Sequence, residues 1–227
     1  MPDPIINASV GEDGTNDPAD VITIQELLNQ LGGLPPFEIN GVCGQDTIDA
    51  IHIVQMDFFN GSDGLIEPNG PTFKRLLKAI SLGFTQLLQV DPEDDTAGYY
   101  TYSAARKQYG TSATIMLLQE VAQTFQATIP ELRVGIGDIS LRDGNPMPPH
   151  VSHRNGRNTD IRPLRTDGQP IPVTITDDAY DREATRLLAQ ILLARPTVKK
   201  IFFNDTQIEG VIPLQGHHNH LHVETKE

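Results

Sequence analysis

The sequence holds a single cysteine, Cys43, no tryptophan and few basic residues. One cysteine excludes an intramolecular disulfide framework. The 17 Lys and Arg residues stand against 30 Asp and Glu residues, which gives a formal net charge of −13. A surface of that sign repels phosphate backbones, and no basic stripe interleaved with aromatic residues is present, so nucleic acid is not expected as a partner.

Long hydrophobic runs are also missing. The longest apolar stretches, such as residues 187–194, are far shorter than the roughly 20 residues needed to cross a bilayer, so no membrane insertion is expected. Residues 1–5 carry neither the basic nor the apolar region of a secretory signal. If the protein acts outside the cytoplasm, we expect that it leaves by a non-classical route or that its signal has been removed.

The composition changes three times along the chain. Residues 1–17 are rich in Gly, Asp, Asn and Pro and predict a flexible arm. Residues 18–82 contain three runs of helical apolar spacing, and residues 83–105, with an acidic patch and a Tyr-rich stretch, predict a linker. Residues 106–227 favour an α+β domain, because helical runs are set around separate strand-like runs at 132–139, 171–175, 201–203 and 220–223, without a regular βαβ alternation. No internal repeat is apparent.

The helical segment carries a pattern of glycines and threonines. Its positions are Asn40, Gly41, Cys43, Gly44, Thr47, Ala50, Ile51, Val54 and Gln55, followed by Glu67, Pro68, Gly70 and Thr72. Over roughly residues 18–80 this pattern resembles the small three-helix peptidoglycan-binding domain, although Asn40, Cys43 and Val54 depart from it conservatively. Thr47 and Thr72 are candidate helix caps. The alternative is a generic helical bundle that binds no ligand.

Histidines give the strongest chemical signal. Six of the seven lie in two clusters: His150, His153, His217, His218, His220 and His222. A turn at Gly156 would let His153 and Asp160 converge on one point. On a strand, His220 and His222 would share one face. Two imidazoles and a carboxylate suit a catalytic zinc site, which typically takes three N/O ligands and keeps one position for water.

Four blocks surround these residues in a fixed order: 134–140, 152–161, 201–205 and 216–223. The series resembles the penicillin-insensitive murein endopeptidase family over roughly residues 110–227. That family belongs to the LAS group, which unites lysostaphin-type peptidases, D-Ala-D-Ala carboxypeptidases and hedgehog signalling domains. The resemblance implies an LAS-type domain with a central antiparallel sheet flanked by helices.

The same resemblance implies roles for individual residues. The implied zinc ligands are His153, Asp160 and His222. His220 matches the position of the catalytic base, and His217 matches a catalytic histidine that stabilises the oxyanion. His150 is an accessory active-site candidate whose role stays open. The departures from the family pattern lie around the ligands rather than on them: Asn158, His218 and Asn219.

The function that these resemblances imply is zinc-dependent hydrolysis of the murein cross-link between D-Ala and meso-diaminopimelate. A domain that binds the wall would raise the local concentration of the enzyme at its polymer. One alternative is a D,D- or L,D-carboxypeptidase that trims stem peptides. The others are a non-catalytic cell-wall-binding protein and a surface tract that scavenges metal.

Peptidoglycan as the partner implies action in the periplasm or cell wall. Without a readable signal, two delivery routes are consistent with the sequence. One is a type VI-type antibacterial effector, which would require an immunity protein in the producing cell. The other is a phage lysin. The effector is the favoured expectation.

Overall fold

The computed structural model describes residues 4–59 and 61–226. The chain divides into two compact units, Met1–Phe84 and Thr85–Glu227. The described residues form five α-helices, a five-stranded mixed sheet and two ribbons of two strands, which confirms the α+β class. Among these helices, none has the length and apolar character needed to cross a bilayer.

The first unit contains three helices: α1 (Pro18–Leu31), α2 (Gln45–Phe59) and α3 (Pro71–Leu82). It also contains a short antiparallel ribbon of β1 (Val10–Gly11) and β2 (Leu65–Ile66). Asp17 caps α1 by accepting a hydrogen bond from the Ala19 amide, and Pro18 follows in the first turn, where its missing N–H is tolerated. The apolar faces of the helices share one core, as their spacing predicted.

The segment expected to be a flexible arm is packed into this unit over its described part, residues 4–17. Ile6 and Val10 are buried in the core. The Asp20 carboxylate accepts hydrogen bonds from two backbone amides of the segment at 3.0 and 2.8 Å. The polar composition suggested an arm, but two apolar side chains and one carboxylate are enough to dock it. These residues therefore belong to the folded unit.

A buried glutamine holds the first interhelical loop. Gln25 of α1 accepts hydrogen bonds at Oε1 from the Asn40 and Gly41 amides, each at 3.0 Å. Its Nε2 donates to Thr47 Oγ1 at 3.2 Å and to the Val42 carbonyl at 3.1 Å. Thr47 lies inside the first turn of α2 rather than at its cap, so the expectation of a cap is wrong. Its hydroxyl oxygen instead accepts the hydrogen bond from Gln25 Nε2.

The second interhelical loop repeats this arrangement. Gln55 of α2 accepts hydrogen bonds from the Asp63 and Gly64 amides and donates to Thr72 Oγ1. Thr72 is also not a cap, because Gly70 occupies that position without a side-chain bond. A glutamine, an Asn/Asp-Gly pair and a threonine therefore occur twice in the same relation. This internal repeat was not apparent in the sequence because the two loops differ in length.

Over its described residues, the second unit contains seven strands, two α-helices and a short 3-10 helix (Ala105–Lys107). The strands are β3 (Thr85–Gln86), β4 (Tyr99–Thr101), β5 (Tyr109–Gly110), β6 (Val134–Ile136), β7 (Asn158–Ile161), β8 (Val198–Phe202) and β9 (Leu221–Thr225). The helices are α4 (Ser112–Thr128) and α5 (Arg182–Leu193). β3 pairs with β5, and the other strands form one sheet in the order β4-β6-β7-β9-β8. The apolar faces of α4 and α5 are buried in one core with the sheet.

The sheet is antiparallel except at one edge. β6, β7, β9 and β8 pair antiparallel, whereas β4 pairs parallel with β6. The chain leaves β4, passes through α4 and returns to β6, and a crossover of this kind is what joins parallel strands. The family resemblance implies a central antiparallel sheet, whereas the observed sheet is mixed, with one parallel pair at this edge.

The segment 83–105, expected to be a linker, supplies this edge. Tyr99 and Tyr100 are buried in β4, and β3 forms a ribbon with β5. From residue 85 the segment thus belongs to the second unit.

In contrast, the strand-like run at 171–175 is not a strand. Pro170 and Pro172 lack the N–H groups that a ladder needs, and the Ile175 amide instead donates to the His218 carbonyl at 3.0 Å.

Candidate metal centre

Asp160 and His222 are cross-strand neighbours. They are register partners on the antiparallel strands β7 and β9, where facing side chains lie close together. Asp160 Oδ1 lies 2.9 Å from His222 Nδ1, and the two residues are only 6% and 5% exposed. The register of the sheet alone therefore brings together two of the three expected ligands.

The loop before β7 delivers the third ligand. Gly156 has a φ of +67°, and its carbonyl accepts a hydrogen bond from the Thr111 amide at 3.0 Å. A Cβ atom at this position would lie 2.8 Å from that amide nitrogen, so the turn requires glycine. The turn places His153 Nε2 3.2 Å from Asp160 Oδ1 and 3.1 Å from His222 Nδ1. Convergence through a glycine turn is confirmed.

The far nitrogen of each ligand imidazole contacts an oxygen acceptor. His153 Nδ1 lies 2.9 Å from the Ile139 carbonyl oxygen, and His222 Nε2 lies 3.1 Å from Asn158 Oδ1. The Asn158 amide is oriented by its own Nδ2, which donates to a backbone carbonyl at 2.9 Å. A neutral imidazole carries one proton. When the far nitrogen carries that proton, the lone pairs of His153 Nε2 and His222 Nδ1 face the carboxylate, as metal ligation requires.

The three residues together form a buried set of electron-pair donors. Burial raises the pKa of the Asp160 carboxyl, whereas protons on the facing ring nitrogens of His153 and His222 lower it below its ordinary range. When those protons lie on the far nitrogens instead, two lone pairs lie 2.9–3.2 Å from Asp160 Oδ1. Such a set is repulsive by itself and is stabilised by a cation, so its chemistry fits a metal ion.

His220 lies beside this set. Its Nδ1 is 2.8 Å from Asn219 Oδ1, which leaves Nε2 as the acceptor nitrogen, 3.7 Å from Asp160 Oδ1. Burial lowers the pKa of His220 to about 4, against the opposing charge of Asp160 and with the support of nearby imidazoles. A neutral imidazole with an available lone pair can accept a proton. His220 precedes β9, so the strand expected to carry both His220 and His222 does not include it, although both rings lie near Asp160.

His217 extends the cluster of rings. Its ring centroid lies 4.8 Å from that of His220 and 5.6 Å from that of His222. Its Nδ1 lies 3.1 Å from the Leu214 carbonyl oxygen, which leaves Nε2 for a ligand. His218, in the same loop, has an exposed side chain. The loop thus directs two of its histidines into the site and one to the surface.

His150 connects two carboxylates. Its Nε2 lies 3.0 Å from Asp138 Oδ2, and its Nδ1 lies 3.6 Å from Asp160 Oδ2. Burial, followed by the proximity of His153, lowers its pKa. One ring nitrogen of His150, one of His153 and one carboxylate oxygen of Asp160 lie within 4.8 Å of one another, so this group could hold a metal ion. The expected triad, which has His222 in place of His150, is more compact, because its three ligand atoms lie within 3.2 Å of one another.

The sequence did not assign a role to several polar residues of the site. Asp138 accepts hydrogen bonds from Lys107 Nζ at 3.0 Å and from Ser103 Oγ. Asn158 was noted only as a departure from the family pattern, yet it orients His222. The alternation of side chains along β7 puts Asn158 on the same face as Asp160, and this signal could have identified it. Lys107 carries no local signal.

A cleft of about 600 Å³ opens beside the ligand set. Asp160, His150 and His220 form one part of its wall. Residues from outside the two histidine clusters form much of the rest, including Tyr102, Ser103, Lys107 and Arg162. A second cleft of about 620 Å³ contains none of the expected ligands, although Ser152 and Asn158 line it. The first cleft is therefore where a substrate can reach the expected ligands.

A search of protein-family models found no match for this chain, and a search of curated proteins found none either, so its function has to be inferred from the site.

Proposed function

We propose that the protein is a zinc-dependent peptidoglycan peptidase that cleaves the D-Ala–meso-diaminopimelate cross-links of murein. One observation carries the metal part of this proposal. His153 Nε2, Asp160 Oδ1 and His222 Nδ1 lie within 3.2 Å of one another, with both far nitrogens engaged by oxygen acceptors. Three N/O ligands with no cysteine are the donor set of catalytic rather than structural zinc sites. The choice of substrate rests on the sequence resemblance.

In this proposal His153, Asp160 and His222 hold the zinc ion. A zinc ion there supplies a Lewis acid that polarises the scissile carbonyl and makes water acidic enough to attack near neutral pH. His153 and His222 are kept in the tautomers that ligation needs by Ile139 and Asn158. The buried Asp160 carboxylate contributes the one negative charge of the set.

The proton moves through His220. Its low pKa keeps it neutral, and its Nε2 faces Asp160 across 3.7 Å, so it can accept the proton of the attacking water and return it to the leaving amine. His217, when protonated, donates from Nε2 to the oxyanion that develops on the carbonyl. The Leu214 carbonyl holds the opposite nitrogen of His217 and fixes the direction of the ring.

The first unit is proposed to bind the wall. The glycine and threonine pattern that resembles a peptidoglycan-binding domain coincides with the loops held by Gln25 and Gln55. Tethering such a binder to a hydrolase raises its effective concentration at an insoluble polymer. Action on murein places the protein in the periplasm or cell wall. Delivery as a type VI-type effector, with an immunity protein as partner, is part of the same proposal.

The test is digestion of purified murein of the meso-diaminopimelate type, with products identified by mass spectrometry. Wild type should convert cross-linked dimers to monomers, and chelator treatment should abolish the conversion. His220→Ala should slow it by about 10²–10⁴-fold, the usual contribution of a general base. His218→Ala is the matched control, because its exposed side chain lies in the same loop. Release of terminal D-Ala from surviving dimers would instead indicate a carboxypeptidase, and wall binding without any product would indicate a non-catalytic protein.

A further inference from the structure

The Arg162 guanidinium is held at the wall of the cleft by a tyrosine ring and a backbone carbonyl. It follows β7 directly, two residues after Asp160, and it lines the cleft together with Tyr102 and Lys107. The guanidinium carbon lies 3.9 Å from the centroid of the Tyr102 ring. Nη1 donates to the Pro170 carbonyl at 2.7 Å. Stacking and one hydrogen bond therefore hold the guanidinium in place and leave its remaining N–H donors for another group.

The Tyr102 platform depends on a glycine. A Cβ atom at Gly137 would lie 2.3 Å from the Tyr102 hydroxyl oxygen, and one at Gly135 would lie 2.6 Å from that of Tyr100. Residues two apart on a strand face the same side. The Gly-Ile-Gly sequence thus makes room for two tyrosine rings on that side, and Arg162 stacks on the nearer ring.

The two basic residues of the cleft differ in their charge partners. Lys107 Nζ lies 3.0 Å from Asp138 Oδ2, so its charge is already matched. Within residues 4–59 and 61–226, no carboxylate lies within 4.0 Å of the Arg162 guanidinium. The cleft also contains the carboxylates of Asp138 and Asp160, which repel an anionic substrate. Arg162 is the side chain there that can attract one, and its planar fork suits a carboxylate.

We propose that Arg162 anchors the substrate by binding its free carboxylate next to the scissile bond. This inference rests on the proposed function and specifies the substrate group that the cleft selects. In a D-Ala–meso-diaminopimelate cross-link, the carbon that bears the scissile nitrogen also bears a carboxylate. Because the scissile nitrogen and the carboxylate are attached to the same carbon, a residue that binds the carboxylate must lie in the same cleft as the expected metal ligands. Arg162 lines the cleft that Asp160 also lines. Amidation of that carboxylate removes the charge and one of the acceptor oxygens.

The test compares two cross-linked peptides that differ only in whether this carboxylate is free or amidated. Wild type should cleave the free acid with a KM about 10-fold lower, the effect expected of one charge-assisted pair. Arg162→Gln should abolish this preference by raising KM for the free-acid peptide about 10-fold. Arg162→Lys should retain part of it, because the charge stays but the fork is lost. Arg186→Gln is the matched control, since Arg186 pairs with Glu183 on α5.

A binding measurement separates this inference from the proposed function. Calorimetric titration of both peptides into chelator-treated protein needs no turnover. If neither peptide is cleaved by the zinc-loaded protein, the proposed function fails, whereas tighter binding of the free acid that is lost in Arg162→Gln still supports the anchor. If wild type treats the two peptides equally, or if Arg162→Gln keeps the preference, the anchor is wrong even where cleavage occurs. Thermal unfolding of each variant confirms that it is folded.

Discussion

The two units of the chain use buried polar side chains in opposite ways. In the first unit, Gln25 and Gln55 are 1% and 3% exposed, and their donors and acceptors are matched by loop backbone and threonine hydroxyls. In the second unit, His153, Asp160 and His222 are also buried, and they turn toward one another two ring nitrogens and a carboxylate oxygen, which are atoms that suit a metal ion. A closed network stabilises a fold by itself, whereas an open one lacks a component. The comparison separates a network that is complete by itself from one whose atoms fit a metal ion.

The largest expected effect comes from neutralising the open network. Asp160→Asn removes the anionic ligand, so kcat/KM should fall by about 10³-fold or more. The new amide can donate a hydrogen bond to an imidazole lone pair, so the metal-free variant should unfold at no lower temperature than metal-free wild type. Calorimetry on chelated samples and murein digestion measure the two effects. Asp178→Asn, at an exposed position, is the control, and a large drop in metal-free stability would mean that the network was already closed.

Opening the closed network should reduce stability instead. Gln55→Leu leaves the Asp63 and Gly64 amides and the Thr72 hydroxyl without their partner, which should cost about 2–4 kcal/mol in free energy of unfolding. Zinc affinity should not change. Denaturant unfolding gives the first quantity and zinc titration the second. Gln30→Leu, on the exposed side of α1, should be nearly neutral. Equal losses in the two variants would contradict the role assigned to Gln55.

A smaller effect on zinc affinity is expected at Asn158, which contacts the expected ligand His222. Asn158→Ala removes the acceptor that holds the proton of His222 on Nε2, and zinc affinity should fall by about 10–100-fold. Asn158→Asp restores an acceptor oxygen and should recover most of the affinity. Competition with a chromophoric chelator measures both values. Unchanged affinity in the alanine variant would show that Asn158 does not orient the ligand.

The smallest effect is expected at the wall of the cleft. Gly137→Ala displaces the Tyr102 ring, because the new Cβ would lie 2.3 Å from its hydroxyl oxygen, and this weakens the stacking that positions Arg162. KM for the free-acid peptide should rise about 3-fold, a fraction of the effect of deleting the arginine. Zinc affinity should stay the same. A change in zinc affinity without a change in KM would place Gly137 with the metal centre rather than with the substrate.

The sequence predicted the candidate site more fully than its surroundings. His153, Asp160 and His222 could be selected because a glycine turn and strand alternation are local rules that act over a few residues. Ile139 and Asp138 come from a separate loop, so their contacts with His153 and His150 depend on tertiary structure. No spacing in the sequence encodes them. The partners of the ligands are therefore visible only in the fold.

The errors in the predicted fold have a common cause. Residues 1–17 and 83–105 were assigned to an arm and a linker from their polar composition, which averages over a segment. Burial of a few side chains, such as Ile6, Val10 and Tyr99, decides whether such a segment docks. The parallel edge of the sheet was missed for a related reason, since the direction of β4 depends on where α4 returns the chain. Periodicity identifies elements but not their pairing.

Zinc titration of metal-stripped protein tests the central claim most directly. His153→Ala, His222→Ala and His218→Ala compare two buried expected ligands with an exposed histidine from the sequence cluster of His222. We expect one zinc ion per chain in wild type and in His218→Ala, and an affinity lower by at least about 10²-fold in the other two variants. Unchanged affinity in His153→Ala and His222→Ala, or a loss confined to His218→Ala, would contradict the assignment of the metal centre.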